Sequence, residues 1–413
     1  MDNKNSAWYQ RLRAVECQDS TMSLSEDFLV LQEGQGSILR DVEGRSFIDL
    51  CAGFGALTHG HIDITAWTQN LKEDGLVQGM GDVYPSASKV KLLETIKSLL
   101  PPHLEKGALA VTGSQAVELA LKTACLATGG NNFLCFQNGY HGLDIGVLPV
   151  TDGDHFRKPF ESLLPHGRGF HLPYGCSIEL LEKSYSDNSL KYGRIAAVLV
   201  EPIQGRGGII LPPPEWLMSL RHFCDKKNLL LIFDEVFTGL GRIGTMTSSF
   251  DVPCDITCLG KALGGGMPVS ACFGTKEVMS SWPMNTGEAI HTGTFFGHAL
   301  SCSVANKNLE FLVAQGLAER SASLGLKGLF FLKNSLLATS FVKDIRGKGL
   351  MIVIEMHESN QGVVLMNTLK RKGIIAIPSG PKGQCLSITP ALNIPEPLFF
   401  EALETICGII QSW

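Results

Sequence analysis

Short apolar runs alternate with stretches of helical periodicity between residues 108 and 274. Residues 133–136, 195–200, 229–233 and 269–273 are runs of this kind. Apolar runs of about four to eight residues between helix-like stretches are typical of strands buried on both faces of a parallel sheet. The alternation therefore predicts an α/β fold, with a mainly parallel sheet covered by helices on both faces.

Two of the apolar runs end in residues that carry chemistry. Residues 229–233 are followed by the adjacent acids Asp234 and Glu235, and a later run is followed by Lys261 and a glycine-rich turn. Ligands bind α/β sheets at this edge, the carboxyl ends of the strands. A lysine that forms a Schiff base and an acid that keeps a pyridine nitrogen protonated are the groups that pyridoxal 5'-phosphate (PLP) requires. Taken singly, an acid pair is more often a helix cap, and a lysine is more often a surface charge.

The same segment contains the pattern G-x-G-x-x-G, formed by Gly239, Gly241 and Gly244. In a dinucleotide-binding loop this pattern follows a strand and opens an amphipathic helix. Residues 245–249 have no helical periodicity, so we reject a nicotinamide cofactor.

Residues 108–128 predict a strand, a turn of small residues and a helix. The apolar residues after Ser114 recur with a period of about 3.6. The N–H groups of Gly113 and Ser114 would then point out of the helix N-terminus, which suits a phosphate group. A helix cap formed by Ser114 explains the same residues equally well.

Two further segments supply candidates for the walls of a pocket. Residues 138–142 place Tyr140 and His141 between glycines after a strand. Either ring could stack on a flat heterocycle there, and His141 could instead be a core histidine. A hairpin predicted around the turn at 42–45 leads into a glycine-rich loop, in which Phe54 either lines a pocket or packs in the core.

Residues 151–175 are polar and rich in glycine and proline, which predicts an irregular loop. Loops of this length inside a domain are often functional. This one has four basic residues that could meet an anionic substrate or simply face solvent, namely Arg157, Lys158, His166 and Arg168. The next apolar run ends in Glu201, and Arg206 follows in a glycine loop.

Composition narrows the class of protein. The chain has 413 residues, 44% of them hydrophobic, and a net charge of −5, which permits a large core and argues against a nucleic-acid-binding surface. No run reaches membrane-spanning length, and the first residues lack the apolar core of a signal peptide. The twelve cysteines have no paired spacing, which indicates reduced thiols in a cytoplasmic protein. Neither Cys254 with Cys258 nor His291 with His298 has further ligands at a suitable spacing, so no metal site is expected.

The chain is predicted to divide into an N-terminal arm with a hairpin, a large PLP-binding domain and a smaller C-terminal α+β domain, with the bounds 1–65, 66–310 and 311–413. The N-terminal part packs with the small domain. Trp8 and Tyr9 of the arm are candidates for contact with a partner subunit. Within the small domain, residues 345–356 are predicted to form one strand.

The order of these segments resembles that of a known family. The block IFDEVFTGLGRIG is followed by LGKALGGGMPVSA, and TGSQAVELALK, GYHG, EPIQG and RGKGL support it. From about residue 30 to its end, the chain resembles the class III (subgroup II) PLP-dependent aminotransferases of fold type I. The resemblance implies an enzyme that moves an amino group, a terminal (ω) amine, between an amino donor and an oxo acid or aldehyde acceptor by a ping-pong mechanism. It also implies a homodimer with active sites at the interface.

The resemblance assigns roles to individual residues. Lys261 corresponds to the Schiff-base lysine, which also carries a proton, and Asp234 corresponds to the partner of the pyridinium nitrogen. Val236 and Tyr140 correspond to the residues on the two faces of the cofactor ring, and Gly113 and Ser114 to those that bind its phosphate. Thr294 corresponds to a residue that binds the phosphate of the neighbouring subunit. Glu201 corresponds to a residue that lies close to the cofactor without doing chemistry.

Four positions depart from the family's pattern. Phe237 replaces a glutamine that often hydrogen-bonds the cofactor's 3′ oxygen. Arg206 and Ser387 replace a glutamate and an arginine that form a gate for the dicarboxylate substrate in many members, and Leu143 replaces another arginine. We therefore expect the substrate's carboxylate to be bound differently from that of the ornithine and acetylornithine enzymes. Arg206 is then either the anion anchor or a surface residue.

Phe54, Arg206 and Phe237 are the candidate substrate residues. Two alternatives to a transaminase stay open. One is a glutamate-1-semialdehyde-type aminomutase, which returns the amine to the same carbon skeleton. The other is a catalytically silent binding protein of the same fold, against which the retained Lys261 and Asp234 argue.

Overall fold

The computed structural model describes residues 4–17, 28–68, 83–165, 167–284 and 287–413. Within these ranges the strands, in chain order, are β1 (Leu31–Gln35), β2 (Ile38–Asp41), β3 (Ser46–Asp49), β4 (Lys106–Ala110), β5 (Asn132–Phe136), β6 (Gly169–Leu172), β7 (Ile195–Val200), β8 (Leu230–Asp234), β9 (Ile256–Leu259), β10 (Ser270–Gly274), β11 (Val342–Lys348), β12 (Met351–Met356), β13 (Ile374–Ile375), β14 (Ile377–Ser379) and β15 (Cys385–Ile388).

The helices of the same ranges are α1 (Lys4–Arg13), α2 (Ile64–Thr68), α3 (Ala87–Leu99), α4 (Gly113–Thr128), α5 (Asp154–Arg157), α6 (Ile178–Tyr192), α7 (Trp216–Lys227), α8 (Lys276–Met279), α9 (Ala299–Ala314), α10 (Leu317–Leu336), α11 (Gln361–Arg371) and α12 (Glu396–Gln411). Side chains of Ser and Thr cap several of them, because a hydroxyl there accepts a hydrogen bond from an otherwise unpaired N–H group.

A seven-stranded sheet with the order β4-β10-β9-β8-β7-β5-β6 forms the centre of the structure. The strands from β9 to β6 are parallel to their neighbours, and β10 is antiparallel to both β4 and β9. Every residue of β7 is buried, which explains why its sequence is continuously apolar. The predicted α/β fold with a mainly parallel sheet is confirmed.

Helices cover both faces of this sheet. Along β8, Leu231 and Phe233 belong to one hydrophobic core and Ile232 to another, because successive strand residues point to opposite faces. The first core includes α7 and α9, and the second includes α4. The two layers fix the carboxyl ends of the strands between them, where the site described below lies.

Part of the stretch predicted as an irregular loop is a strand. Residues 151–175 contain α5, a 3-10 turn over Lys158–Leu163 and β6, which is the edge strand beside β5. The apolar run of β6 is short and contains a histidine, so it lacks the signal of a buried strand. His166, one of the four basic residues of this stretch, lies outside the described residues.

Two smaller sheets flank the central one. The predicted hairpin is present as β2 and β3, which belong to a four-stranded sheet with the order β1-β2-β3-β13. In this sheet β3 pairs with β13 from the C-terminal part of the chain. The second small sheet has the order β11-β12-β15-β14. The domain bounds stay a prediction.

The prediction of one strand over residues 345–356 is wrong. The chain forms an antiparallel hairpin of β11 and β12, which turns at Gly349. Gly349 has a φ of 57°, which a residue with a side chain rarely adopts. β12 is apolar except for Glu355, whereas β11 has four charged residues among its seven. The turn between them, Gly349 and Leu350, has no polar side chain to mark it.

The N-terminal segment is partly helical. Asn5 of α1 donates a hydrogen bond from Nδ2 to Asp41 Oδ2 (3.0 Å), and its Oδ1 accepts one from the Val30 N–H (2.6 Å). Tyr9 stacks on Phe28 of the same subunit, with 4.3 Å between the ring centroids. The contact of Trp8 and Tyr9 with a partner subunit stays a prediction. Across the described ranges, no helix is long and apolar enough to cross a membrane.

Candidate active site

The carboxyl ends of four neighbouring strands bring the predicted catalytic residues to one edge of the central sheet. The strands β9, β8, β7 and β5 are adjacent and parallel. They end at or just before Lys261, Asp234, Glu201 and the segment that contains Tyr140, respectively. Because parallel strands end at the same edge, all four residues lie at this edge.

Asp234 is held by two hydrogen bonds at the end of β8. Its Oδ2 is 2.7 Å from His141 Nδ1, and its Oδ1 accepts a bond from the Val236 N–H at 3.1 Å. Burial lowers the pKa of His141, but the hydrogen bond and charge of Asp234 outweigh it, so this pKa is raised. The pair is buried, with Asp234 5% and His141 3% exposed.

The bond between His141 and Asp234 is the main feature that the sequence interpretation missed. His141 was expected either to stack on a heterocycle or to be a core histidine; it is a buried histidine, and what was not predicted is that its partner is Asp234. The two residues are 93 positions apart in the chain. No local spacing could therefore indicate the contact, and only the adjacency of β5, β7 and β8 creates it.

The second acid of the pair has a structural role. Glu235 is 1% exposed, and its carboxylate accepts hydrogen bonds from the Ser248 N–H (3.0 and 2.9 Å) and from the Thr247 hydroxyl. It thereby holds the 3-10 turn Ser248–Phe250 against the end of β8. The two neighbouring acids therefore have different partners: Asp234 contacts His141, and Glu235 is enclosed by the turn that it holds.

Lys261 lies in a tight 3-10 turn, Lys261–Gly264, directly after β9. It has a φ of 34°, an uncommon value that is found mostly where the surroundings enforce it. Its Nζ is 4.6 Å from the centroid of the Phe237 ring. Burial lowers the pKa of Lys261, while the charges of Asp234 and Glu201 act in the opposite direction. An amine with a lowered pKa is more often unprotonated and therefore a better nucleophile and base.

Glu201 supports the two backbone segments beside the lysine. Its Oε1 accepts a hydrogen bond from the Tyr140 N–H and its Oε2 one from the Gly205 N–H, both at 2.9 Å. Burial raises the pKa of Glu201 to about 7, and the charge of His141 works against this increase. Its role close to the cofactor stays a prediction.

The start of α4 distinguishes between the two interpretations of Ser114. The N-cap is Thr112, whose hydroxyl accepts from the Gln115 N–H and completes a capping box. The alternative that Ser114 caps the helix is therefore wrong. Within the described part of the chain, Ser114 Oγ is buried and has no hydrogen-bond partner. A buried hydroxyl at a helix N-terminus is a fitting ligand for a phosphate group.

The Val236 side chain packs against two glycines, Gly113 and Gly260. A Cβ on Gly113 would lie 2.8 Å from Val236 Cγ1, and one on Gly260 would lie 3.1 Å from it. Larger residues at either glycine would displace this side chain. The arrangement places Val236 between the N-terminus of α4 and the residue before Lys261. Its contact with a cofactor ring stays a prediction.

Phe237 is wedged between two further glycines. A Cβ on Gly55 would be 2.5 Å from the Phe237 ring, and one on Gly205 would also collide with it. Phe54 is beside this position and is 61% exposed. It belongs to a turn over Ala52–Gly55 in which all four residues have positive φ values. Of the two alternatives for Phe54, core packing is therefore wrong.

Other predicted residues have the following surroundings. The guanidinium carbon of Arg206 is 5.1 Å from the centroid of the Tyr140 ring. Ser387 is buried, and its hydroxyl is 2.6 Å from that of Ser379. Leu143 is 45% exposed. Thr294 is exposed in the single subunit.

Two of the basic residues of 151–175 have neighbours of their own. Lys158 pairs with Asp154 at 2.7 Å on the surface. Arg157 Nη1 is 3.5 Å from His171 Nδ1. The binding of an anionic substrate by this stretch stays a prediction. The described residues contain no group of three His, Cys, Asp or Glu side chains that could hold a metal ion.

Comparisons with known proteins show the family and the fold of this chain. The aminotransferase class-III family matches residues 21–410. The ornithine aminotransferase of Toxoplasma gondii is 26% identical, with a TM-score of 0.86 over 99% of this chain and 95% of that chain. The acetylornithine aminotransferase of Elizabethkingia anophelis is 26% identical, with a TM-score of 0.81 over 99% and 100% of the two chains. A transaminase from the marine bacterium Virgibacillus has the same fold, with 22% identity and a TM-score of 0.88 over 98% of both chains.

The chain belongs to the class III aminotransferases, and it has the fold of the type I PLP enzymes. The predicted enzyme class and cofactor are confirmed, because enzymes of this family use PLP. The residues present fit that group: an amine on Lys261, an oriented acid at Asp234 and an unpaired buried hydroxyl on Ser114.

Proposed function

We propose that this class III aminotransferase transfers a terminal (ω) amino group from an amino donor to an oxo acid or aldehyde acceptor in a ping-pong cycle. The observation that carries the proposal is the convergence of Lys261, with its lowered pKa, and the Asp234–His141 pair at one sheet edge. The names of the ornithine and acetylornithine aminotransferases, both 26% identical to this chain, support an amino-acid-like donor.

In this proposal, each side chain has a defined task. When bound, PLP supplies an electron sink for the pair of electrons left at the substrate carbon. Lys261 Nζ accepts the proton from the amino-bearing carbon of the substrate and returns it, which its lowered pKa favours. Asp234, oriented by His141, holds a proton on the ring nitrogen of the cofactor. Phe237 covers Nζ and excludes water from it.

We propose, in addition, that the active form is a homodimer with the sites at its interface. The segment before α9 exposes large apolar side chains, with Met284 91%, Ile290 65% and Phe295 60% exposed. Exposed apolar patches of this kind mark interaction surfaces. Thr294 lies in the same segment and would bind the phosphate in the partner's site. The cytoplasmic location stays a prediction, supported by the free cysteines of the described chain.

The proposal is tested by the absorbance spectrum of the purified protein. Wild type should show the yellow, lysine-bound cofactor, and one or more donors from a panel of ω-amino acids, diamines, glutamate and alanine should convert it to the pyridoxamine form. Lys261→Ala should lack the yellow form, because the cofactor has no amine to bond to.

Results other than these would argue against the proposed transamination or against the role of Lys261. Bound cofactor that no donor converts would favour an aminomutase or a carrier-bound substrate. A protein that binds no PLP at all would favour the silent binding protein. A catalytically normal Lys261→Ala variant would contradict the assignment of the lysine.

A further inference from the structure

Arg206 is a solvent-exposed arginine held against two aromatic rings beside the site. Its guanidinium carbon is 5.1 Å from the centroid of the Tyr140 ring and 4.8 Å from that of the Phe156 ring. Stacking on aromatic faces orients the planar group and leaves its edge of N–H donors free. Among the described residues, no carboxylate lies within ion-pair distance of Arg206, so this edge has room for an external anion.

The backbone that carries Arg206 is fixed from both sides. The Gly205 N–H donates to Glu201 Oε2 at 2.9 Å, and the Arg206 carbonyl accepts from the Gly380 N–H at 3.0 Å. Two residues later, Arg346 donates from Nη2 to the Gly208 carbonyl at 2.6 Å. A side chain on such a rigid loop loses less conformational freedom when it binds a ligand.

A short chain of contacts joins this loop to the reacting amine. Gly205 packs so closely on the Phe237 ring that a Cβ would collide with it. The other neighbour of that ring is Lys261 Nζ, 4.6 Å from its centroid. Arg206 directly follows Gly205 and contacts the Tyr140 ring, so the loop that carries it borders the ring that contacts the amine.

Two other arginines of this region are less accessible to a ligand. Arg346 pairs with Asp344 (3.0 Å) and Glu355 (2.5 Å). Arg242 donates from Nη1 to the carbonyls of Leu350 (3.0 Å) and Pro390 (2.6 Å); its Nε and Nη2 have no partner within the described residues, but the side chain is 0% exposed. Ser387 offers only a hydroxyl, which is bonded to a neighbouring serine.

We propose that Arg206 binds the acidic group of the substrate, so that the enzyme selects ω-amino carboxylates over simple amines. The inference rests on the proposed transamination. The guanidinium matches a carboxylate with two parallel N–H···O bonds. The Phe237 ring contacts both Lys261 Nζ and Gly205, the residue before Arg206, so a substrate with its amine and its carboxylate at opposite ends of a carbon chain suits the two groups.

The test compares two donors that differ only in the carboxylate, 5-aminopentanoate and pentylamine. The PLP-loaded wild type, Arg206→Gln, Arg206→Lys and the control Arg40→Gln are mixed with each donor, and the loss of the yellow form is followed. Arg40 is a surface arginine whose ion pair with Glu33 spans 4.0 Å. The control removes one positive charge away from the site.

Arg206→Gln should raise the apparent KM for 5-aminopentanoate by about tenfold or more, the value of a charge-assisted hydrogen bond. Its KM for pentylamine should change by less than about twofold, and the limiting rate should be kept for both donors. Arg206→Lys should recover part of the affinity, because it keeps the charge and loses the planar fork. Arg40→Gln should match wild type with both donors.

A second measurement is independent of turnover. Calorimetric titration with pentanoate, which has no amine, should show binding to wild type and to Arg40→Gln and about tenfold weaker binding to Arg206→Gln. Equal binding by all variants, or equal effects on both donors, would overturn the inference. If no donor converts wild type at all, transamination fails, and the pentanoate titration alone still decides whether Arg206 binds a carboxylate.

Discussion

At the scale of single residues, the unpaired hydroxyl of Ser114 is the feature that most directly indicates a bound ligand. Leaving a buried hydroxyl without a partner costs about 1–3 kcal/mol, yet Ser114 Oγ is in this position within the described chain. The neighbouring Thr112 already caps the helix. The sequence left open whether Ser114 caps α4 or faces a phosphate group, because serine favours both positions. A ligand oxygen that accepts from Ser114 would remove the cost.

Ser114→Ala should therefore have opposite effects on the protein with and without its cofactor. Without PLP, the thermal midpoint should stay the same or rise slightly, because an unsatisfied polar group is removed. The dissociation constant of PLP should rise by about tenfold, because a hydrogen bond to the phosphate is lost. Equilibrium titration of the apoprotein with PLP, followed by absorbance, measures the second effect.

Ser177→Ala provides the matched control for this variant. Ser177 caps α6 and accepts from the Leu180 N–H, so its loss should lower stability by about 1 kcal/mol and leave PLP affinity unchanged. A Ser114→Ala protein with wild-type PLP affinity would contradict the assignment of Ser114 to the phosphate.

At the scale of elements, the sequence predicted buried strands well and the turn between β11 and β12 poorly. The runs that became β5, β7 and β8 were recognisable because they are apolar on both faces and end in polar residues. The hairpin of β11 and β12 was read as one strand because its turn has few polar residues. What makes the chain turn there is a tertiary contact of Gly349, which a local pattern does not reveal.

Gly349→Ala should accordingly be strongly destabilising. A Cβ at this position would lie 2.5 Å from the Ile243 carbonyl carbon and 2.6 Å from the Arg242 carbonyl oxygen, and φ is 57°. Backbone cannot yield as a flexible side chain does, so we expect a loss of at least about 3 kcal/mol. Chemical denaturation followed by circular dichroism measures the loss.

The matched control is Gly44→Ala in the hairpin of β2 and β3. Gly44 also has a positive φ, 81°, but a Cβ there would have no atom within 4 Å. Its replacement should cost only the backbone strain, about 1–2 kcal/mol. If both variants lose the same amount of stability, the packing of the β11–β12 turn on residues 242–244 is not what fixes it.

At the scale of the whole molecule, the candidate site follows from strand order. The sequence placed Lys261, Asp234 and Glu201 at strand ends, and the family resemblance gave them roles. The contact of His141 with Asp234 could not be predicted, because it depends on which strands become neighbours. A single subunit also leaves Thr294 exposed, so its role can only be decided in an assembly of two subunits.

Mixing two defective variants tests whether each site is built from two chains. Lys261→Ala lacks the reacting amine, and Thr294→Glu places a negative charge where the partner's phosphate is expected to bind. A mixed dimer would contain one site with both defects and one site with neither. If subunits reassort at random, about half of the dimers are mixed, and activity should recover to about a quarter of wild type.

The recovery distinguishes the two possible positions of Thr294. If Thr294 serves its own subunit, every site in a mixed dimer keeps one defect, and mixing restores nothing. Unfolding the variants together in denaturant and refolding them, with each variant refolded alone as the control, allows the exchange. Activity above the sum of the separate controls supports the shared site. Only a shared phosphate contact brings an intact lysine and an intact threonine from different chains into one site. If differential tags verify that mixed dimers have formed and activity is still not recovered, each subunit completes its own site.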